Sequence, residues 1–81
     1  MIVRLKLFAV AKELAGTPLV EIDLPEQATV GDLRKKLAEN VPALAPIAGQ
    51  MMFAVDQRYA GDEVPIAAGS DIACIPPVSG G

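Results

Sequence analysis

From Ile2 to Phe8, apolar and polar side chains alternate. Val3, Leu5 and Leu7 fall on one side; Arg4 and Lys6 fall on the other. Period two is the mark of a half-buried strand. The alternation stops at Ala9-Val10-Ala11-Lys12-Glu13-Leu14-Ala15, a run rich in helix formers and closed by Gly16, a natural helix terminator. Thr17-Pro18 makes a turn, and Leu19 to Leu24 alternates again with Val20, Ile22 and Leu24 on one side. Pro25 and Glu26-Gln27 end that strand. Two amphipathic strands this close predict an antiparallel pair with a short helix in the connection.

The pattern changes period at Thr29. Val30, Leu33, Leu37 and Val41 recur at helical spacing, with Arg34, Lys35, Lys36 and Glu39 off the stripe. Thr29 is a good N-cap, and Asp32 three residues on completes a capping-box pair. Asn40 and Pro42 bound the far end. One apolar stripe means one face buried against a sheet. Residues 42–50 hold two prolines and a glycine and read as a loop or broken helical turn. Met51 to Val55 reads as a central strand, Asp56-Gln57 as its turn, and Arg58-Tyr59-Ala60 as a short returning strand. Gly49, Gly61 and Gly69 read as turn residues. Ile72 to Ile75 is the last strand, stopped by Pro76-Pro77, which cannot donate to a ladder.

The order β, short α, β, α, β, β, β predicts an α+β fold of two layers: a mixed sheet of about five strands on one main helix plus a short helix. The β-grasp fold has this order. Residues 1–76 form the domain, and residues 77–81 a flexible tail. Eighty-one residues allow a single domain. A chain this short buries only ~60% of its unfolded surface, enough for one small core but not for an enclosed catalytic cleft. With Phe8, Phe53 and Tyr59 its only aromatics, that core is built from Val, Ile, Leu and Ala.

Composition narrows the chemistry. There is no His and no Trp, which removes the commonest general base and metal ligand and every Ser-His or Cys-His arrangement. The single cysteine, Cys74, has no partner for an internal disulfide or a zinc site. No bound metal or cofactor is expected, nor catalysis by the chain on its own. A net charge of −3 with scattered basic residues excludes a nucleic-acid stripe. No apolar run reaches the ~18 residues of a membrane span. The strand-like start at Met1-Ile2-Val3 predicts no signal peptide, and the lone cysteine suits a reducing cytoplasm.

What remains is the end, Pro76-Pro77-Val78-Ser79-Gly80-Gly81. The Pro-Pro pair is stiff and extended and points the following residues away from the body. The five residues from Pro77 reach at most ~18 Å, enough to enter another protein's site while the body docks outside. Glycines keep the passage narrow and leave the carbonyl open to attack. A carboxylate at Gly81 is a poor acyl donor until it is activated, for instance as an acyl-adenylate by a second enzyme that consumes ATP. A sulfur or nitrogen nucleophile can then attack. The bland alternative is a frayed terminus with two glycines.

Here the chain resembles a known family. Ile75-Pro76-Pro77-Val78-Ser79-Gly80-Gly81 is similar to the Pro-Pro-Val-Ser/Thr-Gly-Gly ending of the small, sulfur-carrier subunit of molybdopterin synthase, a member of the ubiquitin-like MoaD/ThiS-type family. Leu7-Phe8-Ala9 with Lys12-Glu13-Leu14-Ala15-Gly16 resembles its first strand and helix. Ala54-Val55-Asp56-Gln57 resembles its Val-Asn-Gln segment, with Asp for Asn. Ala68-Gly69-Ser70-Asp71-Ile72-Ala73 resembles its approach to the last strand.

The resemblance implies a mechanism. An E1-like activating enzyme adenylates Gly81, sulfur replaces a carboxylate oxygen to give a C-terminal thioglycine, and Pro77, Val78, Ser79 and Gly80 thread it into the large synthase subunit. Sulfur passes there to a pterin precursor. The resemblance also implies a partner-facing patch at Phe8, Tyr59 and Ile75 and a heterotetramer with two large subunits. It names no sulfur donor.

Other readings stay open at this stage. The tail also suits a carrier for thiamine or another sulfur-transfer pathway, a ubiquitin-like modifier joined to lysines, or an interaction module with an inert end. Cys74 invites a redox reading but lies in an apolar strand, where a cysteine is normally a small buried hydrophobe. Phe8 suits core and interface equally. Arg34-Lys35-Lys36 reads as a solvated helix face, or else as a docking site for an acidic partner.

Overall fold

The computed structural model describes residues 1–77. Its elements are β1 (Ile2–Leu7), α1 (Ala9–Ala15), β2 (Leu19–Asp23), α2 (Val30–Asn40), a 3₁₀ turn (Pro42–Leu44), α3 (Ala45–Ala48), β3 (Met52–Val55), β4 (Arg58–Ala60) and β5 (Asp71–Ile75). Among the described residues the strands form a five-stranded sheet in the order β2-β1-β5-β3-β4. β1 runs antiparallel to β2 and parallel to β5; β3 runs antiparallel to both β4 and β5. This is the β-grasp arrangement. β3 is an interior strand but not the middle one; that place belongs to β5, which carries the tail at its end.

The sheet follows the alternation. Val3, Leu5 and Leu7 of β1, Ile22 of β2, Phe53 of β3, and Ile72 and Cys74 of β5 are buried on one face. Val30, Leu33 and Leu37 of α2 pack against them in one core, joined by Leu44, Ala48, Met51 and Ile66. Among the described residues the buried set is wholly apolar. Gly16 ends α1 at φ 76°, a left-handed conformation that glycine takes without steric cost. Asp56 and Gln57 both have positive φ, 50° and 71°, as a two-residue turn of type I′ requires.

The start of α2 shows how local chemistry fixes the helix. The first backbone N–H groups of a helix have no intrahelical acceptor. Here Val30 donates to the Val64 carbonyl and Gly31 to the Asp62 carbonyl, both at 2.9 Å. The Asp32 N–H donates to Thr29 Oγ1 at 3.3 Å, and the Thr29 N–H donates back to Asp32 Oδ2 at 2.9 Å. Gly31 permits this approach, because a Cβ there would lie 3.3 Å from Asp62 Cβ and O. The backbone hydrogen bond from Thr29, then the Thr29 hydroxyl, lower the Asp32 pKa. With a depressed folded-state pKa, the stability this carboxylate contributes is present above its ordinary pKa and lost as pH falls through the lowered value. Thr29→Ala is expected to cost about 1 kcal/mol, read as a lower midpoint in urea at neutral pH with an unchanged slope.

The basic triplet on α2 departs from expectation. Lys35 is exposed, but the Arg34 side chain is only 19% exposed and reaches inward. Its Nη1 donates to the carbonyls of Ala48 and Met51, each at 2.7 Å. Its Nε and Nη2 both donate to Asp62 Oδ1, at 3.2 and 2.8 Å. The guanidinium lies 5.0 Å from the centroid of the Phe53 ring. Arg34 therefore ties α2 to the chain entering β3 and to the loop after β4.

Candidate functional site

One face of the sheet carries the helices; among the described elements, none covers the other. Alternation decides which side chains lie there. Phe8 continues β1 in extended conformation (φ −125°, ψ 156°), so it points opposite to the buried Leu7. Ile75 points opposite to the buried Cys74. Tyr59 points opposite to Ala60, which packs on the core. Phe8, Tyr59 and Ile75 thus share the helix-free face. Phe8 is 47% and Tyr59 67% exposed, which removes the core reading of Phe8.

The strand registers arrange this face in rows. Arg4 lies opposite Glu21 on one side and Asp71 on the other. The next row runs Leu19, Lys6, Ala73, Ala54, Tyr59. The last holds Ile75 opposite Met52, with Phe8 beyond the end of β1. Directly opposed residues on one face have Cβ atoms ~5 Å apart. The charges pair among themselves: Arg4 with Glu21 at 3.2 Å and Lys6 with Asp71 at 3.3 Å. The face is therefore graded, charged where β5 begins and apolar where it ends.

The apolar end is the root of the tail. Pro76 is buried and Pro77 exposed, directly after Ile75. Val78, Ser79, Gly80 and Gly81 lie outside the described residues. Met52, 49% exposed and opposite Ile75, belongs to the same apolar end and was missing from the sequence reading. Its signal lay in the alternation of β3, where Met52 and Ala54 fall opposite to Phe53.

Cys74 stands on the other side of β5, fully buried, with its Sγ 3.0 Å from Met51 Sδ. Burial pushes its thiol up to about 11, against a smaller opposing effect of the Arg34 charge. It is a core residue in thiol form at neutral pH. Among the described residues no group of three or more Cys, Asp or Glu side chains gathers to hold a metal ion. No helix among them is long and apolar enough to cross a membrane.

Known proteins share this design. The molybdopterin synthase sulfur carrier subunit of Caenorhabditis elegans is 42% identical over 81 residues, covering 98% of this chain and 96% of that protein. SAMP1, the small archaeal modifier protein 1 of Haloferax volcanii, superposes with a TM-score of 0.87 at 32% identity over 100% of both chains. The putative molybdopterin converting factor subunit 1 of Pyrococcus furiosus gives 0.83 at 28% identity, over 95% of this chain and 98% of that one. The model of the ThiS family matches residues 5–81, nearly the whole chain and its Gly-Gly end included, and the chain belongs to that family.

Proposed function

We propose that this chain is the sulfur carrier of molybdopterin synthesis. The observation that carries the proposal is near-full-length relatedness to a protein named molybdopterin synthase sulfur carrier subunit. The graded face at the root of the tail supports it. In this reading a Gly81 carboxylate oxygen attacks the α-phosphorus of ATP in an activating enzyme, and pyrophosphate leaves. Sulfur delivered as hydrosulfide attacks the acyl carbon, AMP leaves, and loss of the S–H proton leaves a thiocarboxylate. The body then docks on the large subunit of molybdopterin synthase through Phe8, Ile75, Met52 and Tyr59. The tail carries the sulfur to the pterin precursor in that subunit. The chain supplies a positioned acyl group; the catalytic groups belong to its partners.

A second reading has one observation behind it, the likeness to SAMP1, whose full name calls it a modifier. A nitrogen nucleophile would then attack the same activated glycine and leave an isopeptide bond. The test is the C-terminal peptide of protein purified from its native host. A carrier is expected to show one oxygen-to-sulfur exchange at Gly81, trapped by a thiol-selective reagent. Gly-Gly remnants on lysines of other proteins, without that exchange, would establish the modifier instead.

A further inference from the structure

The centre of the helix-free face holds two alanines. Ala54 and Ala73 lie directly opposite each other in the β3–β5 register, and both are half-buried. Their row continues to Tyr59 on one side and Lys6 on the other. Ile75 and Met52 border the pair toward the tail, and Asp71 borders it at the opposite end. Two methyl groups thus form the floor of a trough whose walls are longer side chains. The Lys6 ammonium pairs with Asp71 at 3.3 Å, so that wall presents its aliphatic stem and a neutralised charge.

We propose that this trough receives one bulky apolar side chain from the body of the subunit that accepts the tail, and so sets the register of docking. The proposal rests on the sulfur-carrier reading. Reach supports the choice of occupant. From Pro77, the four residues to Gly81 extend at most ~14 Å, so a partner holding Gly81 comes within that distance of the end of β5. Ala73 is two residues before Ile75, ~7 Å back along the same strand. Charge supports the chemistry. The Lys6 and Asp71 charges beside the two alanines pair with each other, so among the described residues the trough offers methyl, thioether and ring surface rather than an unpaired charge. A leucine-, methionine- or phenylalanine-sized group suits that floor. A docked body held at fixed register places Pro77 at a fixed distance from the acceptor.

Filling the trough tests this. Ala54→Leu and Ala73→Leu add bulk on a face with no helix over it, and both should fold, as checked by circular dichroism and melting. Each is expected to weaken binding to the large subunit of molybdopterin synthase roughly tenfold or more by isothermal titration. Ala54→Ser and Ala73→Ser, nearly isosteric, should bind within about twofold of wild type. Leucine variants that fold and bind like wild type would overturn the trough and leave the carrier reading intact. Failure of the wild-type chain to bind the large subunit would overturn both. If one leucine variant misfolds, the other decides alone.

Discussion

Deleting Gly81 is expected to abolish sulfur transfer while leaving the body folded and able to dock. The described residues run to Pro77, and the apolar end of the face is complete without the last glycine. Stability should therefore not change. The chemistry should. Without Gly81 the acyl carbon would belong to Gly80, withdrawn by ~3.5 Å. Misplacing a reacting group by even 1 Å can cost roughly a hundredfold. In the proposed mechanism the same withdrawal acts twice, once at adenylation and once at delivery. The expected result is no thiocarboxylate by mass and no product above background in a reconstituted reaction with the activating enzyme, a sulfur source and the large subunit. Binding to the large subunit should fall much less than turnover. Product at roughly a tenth of the wild-type rate or more would sink the carrier role of Gly81.

Much of this architecture was legible because local patterns and tertiary packing agree. The alternation in β1 and β2 named the buried face, and the Thr29–Asp32 pair marked where α2 begins. The type I′ turn at Asp56-Gln57 and the stop at Pro76-Pro77 follow from single-residue backbone preferences. What stayed hidden depends on contacts between distant segments. No local signal shows that β5 lies between β1 and β3, because a parallel pairing leaves its register unmarked in either strand. Val64 and Ile66 lie between the turn glycines Gly61 and Gly69 with no periodic pattern to mark them, although Ile66 joins the core and the Val64 carbonyl accepts from the first N–H of α2.

Arg34 was misread for a different reason. As one of three consecutive cations it looked solvated. Yet it stands four residues after Val30 and three before Leu37, at the border of the apolar stripe. A guanidinium there can bury its stem and still satisfy its donors on Asp62 and two carbonyls. The site itself divides in the same way. Phe8, Tyr59 and Ile75 reach one face through strand alternation, but the graded charge, Met52 and the alanine trough emerge only once the registers are known.

The two phenylalanines give the sharpest stability contrast. Phe53→Ala is expected to cost about 3–5 kcal/mol, because a ring that is 1% exposed leaves a cavity its neighbours only partly fill. Leu33, Leu37 and Ile72 are fully buried in the same core, and they are held by the sheet and α2, so collapse around the gap is limited. The Arg34 guanidinium also loses the ring it covers at 5.0 Å. A domain of this size is stable by only roughly 4–12 kcal/mol, so the loss is a large share of the whole. The melting temperature should fall by roughly 15–30 °C. Phe8→Ala is the control. Its ring is 47% exposed on the helix-free face, so stability should move by less than about 1 kcal/mol while affinity for the large subunit drops. If Phe53→Ala melted within a few degrees of wild type, the core would not be organised around that ring. If Phe8→Ala unfolded the domain instead, the face that bears the tail would be part of the core and not a surface for a partner.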